Sequence, residues 1–255
     1  MNMKIKPLIY QLTKSLGILK LTVKLNRKMG YLSTFTDHHA NGVDLTYDIG
    51  CDGNLDSVRS IVDVGASIGS MTGYFLRIFP GSTVHAIEPY SVSYNALQAT
   101  YSNNPNVKTH KIGLSDTEGS QKMFIQADSG YNSLNPAVNL PSDAMNALSE
   151  EIMVDTLDTF CSRNNISEID LIKIDTEGLD VKVLKGGENL LRAGKIHYIY
   201  VECTFDRSNL QNTLIDDLRD YLSQFNYKVR AIYEQSNYGE KTYLTCVNAL
   251  FKLQK

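Results

Sequence analysis

Five residues have types and spacings that suit a nucleoside ligand. They are Asp63, Gly65, Ser67 and Gly69, with Glu88 nineteen positions after the last glycine. The apolar run Ile61-Val62 ahead of them reads as a buried strand. It enters a glycine turn that includes Ala66, and a helix follows. The next apolar run, Thr83 to Ile87, ends in Glu88 and Pro89. An acid at the tip of that second strand accepts hydrogen bonds from both hydroxyls of a ribose. The glycines meanwhile let backbone amides approach the rest of the ligand. The dinucleotide fingerprint needs Gly-x-Gly-x-x-Gly, but Ser67 and Ser70 replace its second and third glycines. Asp63 would repel a phosphate and suits an amino group better. The residues therefore favour S-adenosylmethionine over NAD.

A third strand runs into Gly113-Leu114-Ser115-Asp116. In this architecture that turn lies beside the adenine. Leu114 is placed to cover a ring face, and Ser115 or Asp116 to bond the exocyclic amine.

The second chemical signal is Lys173-Ile174-Asp175-Thr176-Glu177-Gly178. Strand alternation puts Lys173 and Asp175 on one face. Asp175, at a strand tip, is expected to position an acceptor hydroxyl and take its proton. Lys173 would orient or neutralise that acid, and Glu177 would contact substrate or cap the following helix. Glu202 ends the next strand. With Asp175 it offers oxygen ligands to a divalent ion, a metal reading that two acids support only weakly. Asn132-Ser133-Leu134 reads as part of the acceptor pocket or an ordinary loop.

These groups need a scaffold. From residue 60 onward the pattern alternates strand and helix: strands at 61–64, 84–87 and 107–112, helices at 71–78 and 91–103. An inserted hairpin-like element follows, with strands at 121–126 and 152–157 around a loop-rich stretch. Alternation resumes with a strand at 169–174, a helix over 180–192, a strand at 197–201 and a helix over 210–225. Strands at 227–233 and 243–252 close the chain. Repeated βα units predict a doubly wound sheet with ligands at the carboxyl ends of its strands. Residues 58–255 are expected to form this domain, and 1–57 an extension of helix and loop.

That extension is basic. Residues 1–28 hold seven Lys and Arg and no acid, whereas the whole chain has net charge −3 and all 28 of its acids follow. Leu8, Ile9, Leu12, Leu16, Leu19 and Val23 form one helical stripe. It fits a helix packed on the domain or on a second copy, one lying on an anionic membrane surface, or a disordered arm. Residues 33–57 read as a loop or short hairpin entering the main domain, and the adjacent His38 and His39 as solvated loop residues. The acidic body argues against nucleic acid. Four scattered cysteines without Cys-x-x-Cys, no apolar run of membrane-spanning length and no secretory core point to a cytoplasmic protein.

In combination these motifs resemble the FkbM family of S-adenosylmethionine-dependent methyltransferases. The resemblance rests on Asp63–Gly69, Ala86-Ile-Glu-Pro89, Gly113–Asp116, Asn132–Leu134, Val154-Asp-Thr-Leu-Asp158 and Ile169–Gly178, and spans roughly 58–230. It implies a class I methyltransferase (Rossmann-like) fold, an α/β sheet of seven strands, mostly parallel with one antiparallel. It also implies O-methylation of a hydroxyl on a sugar, glycan or natural product. Family members commonly carry Glu where this chain has Asp180. The competing readings are an NAD-dependent oxidoreductase, which also lacks a Tyr-x-x-x-Lys pair here, and a non-catalytic nucleoside-binding module recruited through the basic helix.

Overall fold

The computed structural model describes residues 42, 44–52, 57–125, 149–236 and 245–254. The chain divides into two units, Met1–Val43 and Asp44–Lys255, and apart from Gly42 every described residue lies in the second. The basic stripe of residues 8–28, His38-His39 and Asn132-Ser133-Leu134 all lie outside the described residues. No described helix is long and apolar enough to cross a membrane.

The main sheet is built from β1 (Ser60–Val64), β2 (Thr83–Ile87), β3 (Val107–His110), β7 (Ile169–Ile174), β8 (Ile196–Thr204), β10 (Tyr227–Ser236) and β11 (Cys246–Leu253). Its order is β10-β11-β8-β7-β1-β2-β3, with the short β9 (Thr213–Leu214) paired to β8. Strand β11 runs antiparallel to both neighbours, and the other pairings are parallel. This is the expected class I methyltransferase sheet. The order reverses between β1 and β7, which opens a crevice at their carboxyl ends.

Helices cover both faces, so the central strands are buried on two sides. Val62, Val64, Ile172, Ile174 and Val201 pack into one apolar layer. Ile61, Leu171, Tyr198 and Phe75 pack into the other. Helix α2 (Ser70–Ile78) follows β1 and α3 (Ser91–Tyr101) follows β2.

The inserted element forms its own sheet of β4 (Gly113–Ser115), β5 (Gly119–Phe124) and β6 (Ser149–Thr156), in the order β4-β6-β5. The β5–β6 pair is antiparallel, as a hairpin-like insertion requires.

Three elements depart from the sequence reading. Residues 45–51 are not loop but helix α1 (Leu45–Cys51), capped by Asp44, whose carboxylate accepts from the amide of Thr46 at 2.9 Å. Leu45 and Ile49 bury fully enough to contribute about 1.5–3 kcal/mol each. Tyr233 and Arg230 then hold the buried Asp48 at 2.6 Å and 3.4 Å. The predicted helix over 180–192 is two, α5 (Asp180–Gly186) and α6 (Glu188–Arg192). A Cβ on Gly186 would sit 2.1 Å from the Ser115 carbonyl oxygen, so close packing on β4 fixes the break. The helix expected from 210 begins only at Ile215, as α7 (Ile215–Ser223), because Thr213 and Leu214 extend the sheet as β9. Helix α4 (Leu157–Arg163) joins β6 to β7.

Candidate active site

The crevice between β1 and β7 is a cleft enclosing about 730 Å³, open solvent included. Strand β1 ends at Val64, and Gly65 turns the chain at φ 72°. A Cβ on Gly65 would lie 1.9 Å from the Asp175 carbonyl oxygen, so only glycine lets the two strand tips touch. The amides of Gly65 and Ala66 both donate to Ile87 O at 3.0 Å, which fixes the turn to β2.

Glu88 follows β2 directly and faces the cleft. One of its oxygens accepts from the Ser67 amide at 2.8 Å and the other from the Tyr90 amide at 2.9 Å. Each oxygen keeps a lone pair for a ligand. Burial raises the Glu88 pKa, and the Tyr90 and Ser67 amides work against that rise by stabilising the charged form. Ile112, Leu114, Met123 and Leu179 give the cleft an apolar lining.

At the other end stand Asp175, Thr176 and Glu177. Their strand tip is rigid. Thr176 donates its amide and its hydroxyl to Asp180 at 3.0 Å and 2.8 Å, and Thr213 donates its hydroxyl to the second Asp180 oxygen at 2.5 Å. Burial raises the Asp180 pKa, and the Thr213 and Thr176 bonds oppose the rise. Gly178 sits at φ 87°, where a Cβ would lie 2.9 Å from Leu210 O.

Lys173 lies behind this rim, 5% exposed. Register puts it abreast of Asp63 across the β1–β7 pair. Its ammonium is 3.1 Å from Asp175 and 3.7 Å from Asp63, and donates to the Gly65 carbonyl at 2.9 Å. Burial works to lower its pKa, but Asp175 and then Asp63 outweigh burial and hold it up, so it stays a cation. Asp63 is fully buried and accepts from the Thr72 hydroxyl at 2.6 Å. Burial raises its pKa against the pull of Lys173.

The structure brings Gly65, Ser67, Glu88, Pro89, Leu114, Asp175 and Glu177 to the cleft surface, as the sequence suggested. Five other candidates lie behind it. Asp63 is fully buried against Lys173 and Thr72 and does not reach the cleft surface. Ala66 is buried under the turn, and the Gly69 carbonyl is taken by the Tyr101 hydroxyl at 2.8 Å. Ser115 is 2% exposed and donates to Asp116 at 3.1 Å, so β4 presents Leu114 rather than Ser115 to the cleft. Lys173 is the fifth. Among the described residues no three His, Cys, Asp or Glu side chains converge to hold a metal, so the ion considered for Asp175 and Glu202 finds no support. Sequence reasoning missed Asp180 as the brace of the tip. Its signal was the acid four residues after Thr176, spaced to bond back to that threonine's amide.

Comparison with known proteins places the chain. The family model described as Methyltransferase FkbM domain matches residues 63–229. Methyltransferase sdnD of Sordaria araneosa is 28% identical over 190 residues, 64% of this chain and 70% of that protein. Methyltransferase 1 of Beauveria bassiana (strain ARSEF 2860) is 29% identical over 142 residues, 49% of this chain and 57% of that protein. Among solved structures, M. capricolum TrmK in complex with S-adenosyl-homocysteine is 12% identical, with 82% of this chain and 68% of that chain covered at a TM-score of 0.46. The family match spans more than half the sequence and includes both strand tips that shape the cleft; the chain belongs to the FkbM methyltransferase family.

Proposed function

We propose that this methyltransferase takes S-adenosylmethionine as its methyl donor and transfers the methyl group to a hydroxyl oxygen of a sugar or natural product. One observation carries the reading: among the described residues the cleft lining holds three acids, Glu88, Asp175 and Glu177, and no Lys or Arg. A dinucleotide brings a pyrophosphate, for which this lining offers no cationic partner. S-adenosylmethionine brings a sulfonium, an ammonium, a ribose and an adenine, and no phosphate. Glu88, pinned by two backbone amides, suits the ribose diol. Leu114, Met123 and Ile112 suit the adenine faces. The cofactor, when bound, supplies an electrophilic methyl carbon.

The chain's own work is then placement and proton removal. The rigid tip holds Asp175 at the cleft wall, where it accepts the hydroxyl proton of the acceptor as the oxygen–carbon bond forms. With the cofactor bound, its carbon–sulfur bond would break as the oxygen–carbon bond formed, leaving the electron pair on sulfur. Lys173 keeps Asp175 oriented without entering the cleft. It acts through Asp175 and is a positioning residue.

Calorimetry with S-adenosylmethionine, S-adenosylhomocysteine and NAD tests the cofactor. Binding of the first two and not the third is expected. Glu88→Ala should weaken them by at least about 100-fold, since a hydrogen bond to a charged group contributes about 1.5–3 kcal/mol and Glu88 makes two to a ribose. NAD binding without S-adenosylmethionine binding would sink the proposal. Transfer of radiolabelled methyl to a panel of hydroxylated sugars and natural products tests the acceptor. Label found only on nitrogen or carbon refutes O-methylation.

A further inference from the structure

Carboxyl groups gather around Asp175 at the cleft wall. Asp175 and Glu177 line it from one strand tip. Parallel register sets Ile174 beside Val201, which brings Glu202 abreast of Asp175 on the next strand. Asp180, buried on α5, stands behind them. The Cys246 thiol on β11 is pushed up to about 11 by burial, with Glu202 and Glu177 adding to the rise, so it carries no charge to neighbouring acids. The segment over Gly178 contributes backbone carbonyls at Leu210 and Gln211. Among the described residues Lys173 is the cation beside Asp175, and it is shared between Asp63, Asp175 and the Gly65 carbonyl. Burial first, and Asp175 second, push Glu177 up to about 9 and Glu202 up to about 7.

We propose that the Asp175–Glu177–Glu202 group binds a proton while the cleft lacks a cation and releases it when the cationic cofactor enters, so that the pocket itself distinguishes S-adenosylmethionine from S-adenosylhomocysteine, whose sulfur is neutral. This rests on the cofactor reading above and adds a proton to its account. A positive charge close to a carboxyl lowers its pKa by about 1–3 units, which takes Glu177 from about 9 towards neutrality. The proton count closes over one turnover. The group gives one proton to solvent on cofactor binding. At transfer Asp175 receives the acceptor's hydroxyl proton, and the sulfonium charge vanishes in the same step. The group's affinity for a proton is thereby restored as a proton arrives, and the next cofactor expels it.

Isothermal calorimetry at pH 7.0 in two buffers of different ionisation enthalpy counts the protons. The wild-type protein is expected to release about 0.5–1 proton more with S-adenosylmethionine than with S-adenosylhomocysteine. Glu177→Gln should cut that difference by at least half, and Glu202→Gln by less. The preference for S-adenosylmethionine should rise between pH 6 and 9 in the wild type and flatten in Glu177→Gln. Should Glu177→Gln fail to fold, the wild-type difference and Glu202→Gln still decide. Equal proton counts for the two ligands, or a difference untouched by both variants, overturns the proposal. Failure of S-adenosylmethionine to bind at all overturns the cofactor reading instead.

Discussion

Lys173→Met removes the cation that joins the two central strands, and its cost follows from burial. Lys173 is 5% exposed and Asp63 is not exposed at all. Without the lysine, Asp63 keeps only the Thr72 hydroxyl, and its other oxygen accepts no hydrogen bond from any described residue. Leaving a buried charge without its partner costs about 3–5 kcal/mol, and methionine recovers little of it by packing. Protonation of Asp63 limits that cost, which makes it depend on pH. The folded pKa of Asp63 lies above its unfolded value. The stability its protonation contributes is therefore present in acid and lost as pH rises through the folded value. Removing Lys173 raises that value further, so the deficit of Lys173→Met should shrink from pH 8 to pH 5. The double variant Asp63→Asn/Lys173→Met removes both charges and should return to within about 1–2 kcal/mol of wild type. Urea midpoints followed by circular dichroism at pH 5, 6.5 and 8 measure all three proteins. A single variant that loses under about 1 kcal/mol at pH 8, or a double variant as weak as the single, refutes the reasoning.

Gly65→Ala must displace the Asp175 carbonyl and hold a side chain at φ 72°. It should lower the melting temperature and weaken S-adenosylmethionine by more than about 100-fold, both from the spread of the strand tips; wild-type affinity in calorimetry would contradict this. His85 and His110 meet at 3.1 Å, and burial lowers both to about 4. Their folded values lie below the unfolded 6.5, so the neutral pair contributes stability above that pH which is lost as pH falls through about 4. Melting temperatures should fall over that window in the wild type and fall less in His85→Gln/His110→Gln; equal slopes would rule the pair out as the source.

The strand tips were legible in the sequence because each ends an apolar run in glycine or acid, and such punctuation survives any packing. Glu88, Asp175 and Glu177 could therefore be placed at the cleft before the fold was known. Depth was not legible. Strand β1 is buried on both faces, so polar alternation is absent, and nothing local told Asp63 from a residue aimed at the ligand. The same holds at β4, where the three residues Gly113–Ser115 are all buried and only the neighbouring β6 decides which one faces the cleft. Helix α1 escaped because Gly50 lies within it and Gly42 and Gly53 flank it in the sequence. Its signal was Asp44 as a cap with Leu45 and Ile49 one turn apart, a pair that matters only once a sheet exists to cover.

Asp63 then takes a role that its position in the glycine motif hides. A carboxylate facing a ligand ammonium would gain one ion pair in a partly solvated cleft, where screening keeps such pairs weak. Buried under the turn, it instead fixes Lys173, and through Lys173 both the Gly65 carbonyl and Asp175. In the proposed reaction the cofactor and acceptor sides of the cleft would thus share one buried ammonium. A methyl transfer needs its two reacting atoms placed to a fraction of an ångström. A shared buried ion meets that need better than two surface contacts, because a shift of one strand tip is felt at once by the other.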